Sequence, residues 1–326
     1  MNGRVQVSYD ADTHKPELPR VERPRGITAA DLQDRHFEPI RWVCDPYIPQ
    51  GMTLLAAKPK IGKSWLMLDV AVAVARGALT LGDRRCIEGD VLYASLEDSE
   101  RRLKTRMAKV CPSRGPWPSR LTFWTEMQPL EAGGIRQLAD WVNRMPDPRL
   151  IIVDTFAKIR SPKGREETSY EADYRQAGAL KRFADETGVA VVVVHHVRKM
   201  EAEDPLDAVS GTTGLTGAVD TILIMKREAS GVVLYGRGRD IEEIEVAIEF
   251  QKDSCRWSVL GDAAEVRMSG ERLQIIDALR TEGVPLTPAE IAAVTGMARV
   301  AVRRLVTKMA KAGELKRGEK AKYALP

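Results

Sequence analysis

The chain has 326 residues, of which 44% are hydrophobic and 29% charged, and a net charge of +4. That length and composition suit a globular protein of about two domains and exclude a disordered chain. The longest purely aliphatic run, Val189–Val194, is far short of the ~20 residues a bilayer-crossing helix needs, so no membrane association is expected.

The charge is unevenly spread. Gly270–Pro326 carries 11 Lys/Arg against 6 Asp/Glu, whereas the other 269 residues hold 39 against 40. The basic excess therefore sits in the last segment and points to a separate module with an anionic partner. Met1–Thr13 has no basic stretch followed by an apolar core, so no secretory signal is expected. The four cysteines, Cys44, Cys86, Cys111 and Cys255, form no C-x-x-C pair. Together these features predict a cytoplasmic protein without a disulfide framework or zinc site.

In chain order, residues 1–25 are polar, carry Pro16, Pro19 and Pro24 and show no period, which reads as a flexible arm. We place the arm at 1–35. Residues 26–50 read as a short helix and a strap leading into the core. From Gly51 strand-like and helix-like stretches alternate. The strands are Met52–Ala56, Asp90–Ser95, Leu121–Thr125, Leu150–Asp154 and Val189–Val194; the helices are Lys63–Arg76, Ser99–Val110, Ile135–Met145 and Tyr174–Thr187. This alternation predicts an α/β fold with a parallel sheet covered on both faces. After Gly217, the runs Val219–Met225, Val232–Tyr235, Ile244–Phe250 and Arg256–Leu260 follow one another with short turns, as an antiparallel extension would. The α/β domain is expected over 36–262.

Over 270–326 the pattern is helical again. Glu271–Arg280 reads as a helix, Thr287-Pro288-Ala289-Glu290 as a capping box with Pro at the first helical position, and Arg299–Ala312 as a third helix ending at Gly313. The strands Leu315–Arg317 and Lys322–Ala324 flank Gly318. Together these predict a winged helix-turn-helix.

The first strand runs into Ala57-Lys58-Pro59-Lys60-Ile61-Gly62-Lys63-Ser64, and a helix continues through Trp65. This is the phosphate-binding pattern G-x-x-x-x-G-K-[ST] with Ala57 at the first glycine. Amides around Gly62 and the helix N-terminus can cradle phosphate, Lys63 can neutralise it, and the Ser64 hydroxyl can ligate Mg²⁺. Ala57 is tolerable if its φ stays negative. ATP and Mg²⁺ are thus the expected cofactors, with residues 57–65 as their cradle. Leu150–Asp154 is an apolar strand ending in a carboxylate, so Asp154 is the second candidate Mg²⁺ residue. Glu97, at the end of another strand, is placed to orient and deprotonate an attacking water. Asp98 reads as an N-cap of the helix that follows. Val189–Val194 delivers His195 and His196 to the same sheet edge, where His196 could sense a γ-phosphate.

These residues resemble the RepA-type, RecA/DnaB-like ATPases of plasmids and phages. The matching stretches are K-P-K-I-G-K-S, L-Y-A-S-L-E-D-S-E-R-R-L, L-I-I-V-D-T-F and V-V-V-V-H-H-V-R-K, with S-G-T-T-G-L-T-G-A-V-D-T-I-L and Y-G-R-G-R-D further on. The resemblance covers about 36–250 and departs from the family pattern at Ala57. It implies a RecA-like core assembling as a ring, commonly a hexamer, with ATP at subunit interfaces. An arginine from a neighbour would then complete the site. Arg239, and next Arg237, in Gly236-Arg237-Gly238-Arg239-Asp240 are the candidates, against the plain alternative of an Arg239–Asp240 surface pair.

The resemblance also nominates two polar loops, 160–175 and 197–213, as lining a channel for single-stranded DNA. Lys158, Arg160, Lys163, Arg165, Arg198 and Lys199 are the candidate contacts, although both loops also carry acids. In the last segment, Val302, Leu305, Val306 and Met309 form a buried stripe. Arg299, Arg303, Lys308 and Lys311 lie mainly outside it, and Lys320 decorates the wing. From Arg299 to Lys322 there are nine bases and two acids, which suits duplex phosphates. No Asn or Gln stands on this helix to read adenine. The sequence therefore predicts an ATP-hydrolysing DNA motor with separately supplied replication partners. Two rivals stay open: an ATP-switched DNA-binding regulator, and a recombination mediator that coats single strands without unwinding.

Overall fold

A computed structural model describes residues 26–112, 115–197, 214–228 and 231–326, and the backbone of 8–9 and 16–17. Two compact units are distinguished, 1–39 and 40–326. In the first, Ala29–Gln33 is one short helix whose N-cap, Thr28, accepts from the Asp31 amide. The same unit holds a two-stranded antiparallel pair, Ser8–Tyr9 with Pro16–Glu17, and the remaining elements belong to the second unit.

The second unit is built on a nine-stranded sheet. In chain order its strands are β1 (Met52–Ala57), β2 (Asp90–Ser95), β3 (Leu121–Trp124), β4 (Pro148–Asp154), β5 (Ala190–His196), β6 (Thr221–Glu228), β7 (Gly231–Gly238), β8 (Ile244–Gln251) and β9 (Arg256–Asp262). They lie in the order β9-β8-β7-β6-β1-β5-β4-β2-β3. The run from β6 to β3 is parallel and that from β6 to β9 antiparallel. The expected parallel sheet with an antiparallel extension is what forms.

Among the described residues, four long helices pack on the parallel part: α1 (Lys63–Val74), α2 (Glu100–Val110), α3 (Gly134–Arg144) and α4 (Ser169–Thr187). Alternate residues of the central strands serve two separate cores. Leu55, Ile152 and Val192 face α1, whereas Leu54, Ile151, Val153 and Val193 share a core with Leu180 and Phe183 of α4. Burial on both faces is why these strands read as unbroken apolar runs.

Two helix starts differ most from the expected ones. Helix α4 starts at Ser169 rather than Tyr174, because Thr168 and Glu171 form a capping box inside the stretch read as loop. Helix α5 spans Ala263–Glu282 rather than Glu271–Arg280. Asp262 at the end of β9 caps the amides of Ala264 and Glu265, and the helix runs on through Gly270. A glycine inside a helix costs only about 1 kcal/mol, which the cap and helix packing can offset.

Helices α5, α6 (Pro288–Thr295) and α7 (Arg299–Lys311) enclose Ile275, Leu279, Ile291, Val302, Val306 and Met309. A two-stranded wing, Lys316–Arg317 with Tyr323–Ala324, closes the motif, and Tyr323 also pairs with Leu286. This is the winged helix-turn-helix read from the sequence. Its second helix starts with the expected capping box, Thr287 accepting from Glu290 N–H while Glu290 accepts from Thr287 N–H at 2.7 Å. Replacing Thr287 by Ala should destabilise this helix by about 1 kcal/mol, seen as faster hydrogen exchange of the 291–295 amides. The Thr287 hydrogen bonds hold the Glu290 carboxyl below its ordinary pKa. The cap's contribution is therefore present at neutral pH and lost as pH falls through that lowered value.

Candidate functional site

The parallel register brings three strand ends to one sheet edge. Ala57 pairs with His196 across β1–β5, and Asp154 pairs with Val194 and Ser95 across β4–β5 and β4–β2. The loop after β1 leads into α1, as the phosphate-binding pattern requires. Ala57 is still a strand residue, paired with Met225 as well as His196. No left-handed backbone is needed there, which explains why alanine can replace glycine. The left-handed conformations fall at Lys60 (φ 64°) and at Gly62 (φ 115°), the N-cap of α1.

Lys63 is the buried centre of the loop, 3% exposed. Its Nζ donates to the carbonyls of Ala57 (2.9 Å) and Lys58 (3.0 Å) and lies 3.0 Å from His196 Nδ1. Burial pushes its pKa down to about 8, against the opposing pull of Asp154 and Glu97. A cation held this way gains from an incoming anion, since a phosphate would supply the compensating charge that carbonyls supply only in part. The cradle therefore fits a triphosphate.

Asp154 ends β4 buried, with its pKa raised by desolvation and pulled back by hydrogen bonds from Ser64 and Tyr93. Tyr93 donates its hydroxyl to Asp154 Oδ2 at 3.0 Å. Ser64 and Asp154, whose side chains are hydrogen-bonded, are the residues that would hold Mg²⁺. When bound, that ion neutralises phosphate charge and orients the phosphates.

Glu97 follows β2 at the same edge, with a side chain 48% exposed. Its Oε2 is 3.8 Å from His196 Nε2, and Thr155 donates to its Oε1 at 3.4 Å. With Lys63 protonated, His196 Nδ1 must accept, which leaves the ring proton on Nε2 facing Glu97. The ring thus links the phosphate-side cation to the candidate general base. His195 is kept neutral, its pKa lowered to about 4 by burial first and then by its neighbours His196, Arg160 and Lys63.

Several expectations are corrected. Asp98 is not the N-cap of α2. Ser99 is, accepting from Arg102 N–H, while Asp98 pairs with Arg102 at 3.0 Å and with Arg106. Its carboxylate is used by these guanidinium groups instead. Arg239 does not pair with Asp240: its ion-pair partner is Asp220 at 4.0 Å, and its side chain is 70% exposed. Arg237, on β7, lies 3.6 Å from Glu243. The Trp65 ring packs against Phe250 and beneath the Arg106 guanidinium, while its backbone N–H is taken by the Gly62 carbonyl.

Of the loop candidates, Lys158 lies in a short helix, Phe156–Ile159. Arg160 is engaged by Asp173, and Lys163 and Arg165 are exposed. Arg198 and Lys199 lie outside the described residues. Arg299, Arg303, Lys308 and Lys320 are all exposed. Among the described residues, no group of three or more His, Cys, Asp or Glu side chains could hold a metal ion. No described helix is long and apolar enough to cross a membrane.

Sequence reasoning missed Tyr93, Thr155 and Trp257. Tyr93 carried a faint signal, being two residues before the end of a strand whose neighbour ends in Asp154. Trp257 carried none, because its contact with Gly62 spans 195 positions. Replacing Tyr93 by Phe should weaken Mg²⁺-dependent ADP binding roughly fivefold by removing one hydrogen bond to a carboxylate. Calorimetric titration with and without Mg²⁺ checks this; ADP binding without the ion should be unchanged.

The chain is similar to the DNA repair protein RadA of Halalkalibacterium halodurans, 27% identical over 232 residues (70% of this chain and 44% of that protein). It is likewise similar to the Streptococcus pneumoniae RadA, 27% identical over 184 residues (56% and 37%). The chain thus spans less than half the length of these curated relatives. Among solved structures, it superposes on one separately solved ATPase domain with a TM-score of 0.51 at 15% identity, covering 65% of this chain and 85% of that one. A DnaB-like replicative helicase gives 0.50 at 16% identity, covering 65% and 58%. These likenesses show a RecA-like fold. Residues 273–318 match the IclR helix-turn-helix domain. Residues 17–202, more than half of the sequence and inclusive of the whole phosphate loop, match the family model described as AAA domain, and the chain belongs to that family.

Proposed function

We propose that the protein is an ATP-hydrolysing, DNA-associated motor of RepA type that works as a ring, commonly a hexamer, in the replication of a mobile element. The observation that carries the ATPase reading is the meeting of Lys63, Ser64, Asp154, Glu97 and His196 at one sheet edge beside the α1 N-terminus. Lys63 and the loop amides bind and orient the phosphates. Ser64 and Asp154 hold Mg²⁺. Glu97 takes a proton from the attacking water at its carboxylate, with Thr155 and His196 keeping that carboxylate in place.

Where Arg239 sits supports its acting in trans. It neighbours Asp220, whose carboxylate accepts from Met52 N–H at the start of β1, whereas the phosphate loop leaves the other end of that strand. A six-residue strand separates them by roughly 20 Å. Arg239 therefore lies too far from the phosphate loop of its own chain to serve it, which supports a role at the site of a neighbouring subunit.

DNA is the polymer on which such a motor acts, with single strands near residues 160–175 and 197–213 and duplex at the winged helix. The exposed bases of α7 and the wing support the second contact. Val300, 83% exposed on α7, adds an apolar group able to meet a base or sugar. The RadA relatives are DNA repair proteins by name, which supports keeping a repair role beside the replication one; in that alternative the protein is a recombination mediator that hydrolyses ATP on single strands without unwinding them.

Lys63→Ala should abolish ATP hydrolysis. Arg239→Ala should slow it by about 10³ while leaving nucleotide binding nearly intact. Mixing the two variants should restore part of the activity, and failure to do so removes the trans role. Strand displacement on a forked duplex, absent in Lys63→Ala, supports the motor. Hydrolysis stimulated by single strands with no displacement supports the mediator. Arg303→Glu should weaken duplex binding and lower its logarithmic salt slope by about 1.

A further inference from the structure

The phosphate loop is held from behind by a residue far from it in sequence. Trp257, on β9 in the antiparallel extension, is 2% exposed and donates Nε1–H to the Gly62 carbonyl at 3.2 Å. Its ring also fills the space beside Gly62: a Cβ built there would stand 2.7 Å from Trp257 Cζ2. Glycine is therefore required at this position twice over, by its left-handed φ and by the indole behind it.

The Gly62 carbonyl is the first acceptor of α1, taking the N–H groups of Trp65 and Leu66 at 3.1 Å each. The same peptide unit carries the Lys63 N–H, which points the opposite way, out of the helix N-terminus towards the phosphate position. Because a peptide unit is planar and rigid, a donor that pins its oxygen also aims its N–H. The indole is itself fixed. Phe250 lies 5.2 Å from it between ring centroids, and the preceding Arg256 pairs at 3.0 Å with Asp69, a buried residue further along α1. Strand β9 is thereby joined to α1 at its start and again at Asp69.

We propose that Trp257 is a positioning residue of the nucleotide site, holding the Gly62–Lys63 peptide so that its N–H faces the phosphate. The inference rests on the nucleotide-binding reading above. Trp257→Phe keeps an aromatic ring beside Phe250 but removes the donor and the outer indole edge at Gly62. In the full chain, the dissociation constant for ADP with Mg²⁺ should rise roughly fivefold, with a melting temperature close to that of the wild type. Equal affinities overturn the proposal.

A second readout uses the wild-type sequence labelled with 5-fluorotryptophan. The fluorine resonance missing from the Trp257→Phe spectrum belongs to Trp257, and it should shift when ADP and Mg²⁺ saturate the site. A ring that only filled the core would keep its shift, and an unmoved resonance likewise sinks the role. Wild-type binding of ADP separates the two levels of inference. Its loss would bring down the nucleotide reading itself, whereas equal affinities in wild type and variant remove only the role of Trp257.

Discussion

An ammonium group buried at the edge of a parallel sheet is the constraint from which the rest of this molecule follows. Lys63 cannot be charged there without partners, and the carbonyls of Ala57 and Lys58 and the ring of His196 give it a set that is adequate but incomplete. The register of β1, β5 and β4 is what makes those partners meet, because parallel strands with matched ends deliver Ala57, His196 and Asp154 to one place. The apolar faces of the same strands form the two cores that hold that register. Packing and charge are therefore two consequences of one arrangement.

The groups beyond Lys63 are connected in series. His196 touches Lys63 on one side and approaches Glu97 on the other, and Thr155 holds Glu97 from a third direction. A change in what Lys63 binds would be felt at Glu97 through a single ring, which is what the proposed phosphate-sensing role of His196 requires. On the far side of the loop, β9 reaches α1 through Trp257 and Arg256, then passes without interruption into α5, the first helix of the winged module. The antiparallel extension is thus more than a cover for the sheet edge, since it carries a support for the phosphate loop.

The strands and helices of the parallel part were legible because hydrophobic runs are local signals, as are Gly62 and the helix ends at Thr287 and Gly313. The loop motif was legible for the same reason: its chemistry lies within eight consecutive residues. Errors came where a local signal competed with another one nearby. Asp98 and Ser99 are both good caps, and only the positions of Arg102 and Arg106 decide between them. The start of α4 was lost because Thr168-x-x-Glu171 lies in a polar stretch that also reads as loop.

By itself the sequence determined the α/β alternation, the phosphate loop, the acidic strand end and the basic winged module, since each depends on neighbours a few residues apart. Tertiary structure alone decided that Tyr93 supports Asp154, that Arg239 stands at the opposite sheet edge from its own phosphate loop, and that Trp257 backs Gly62. Those contacts join residues tens to hundreds of positions apart. No periodicity or spacing can encode them, because they exist only after the strands have taken their order in the sheet.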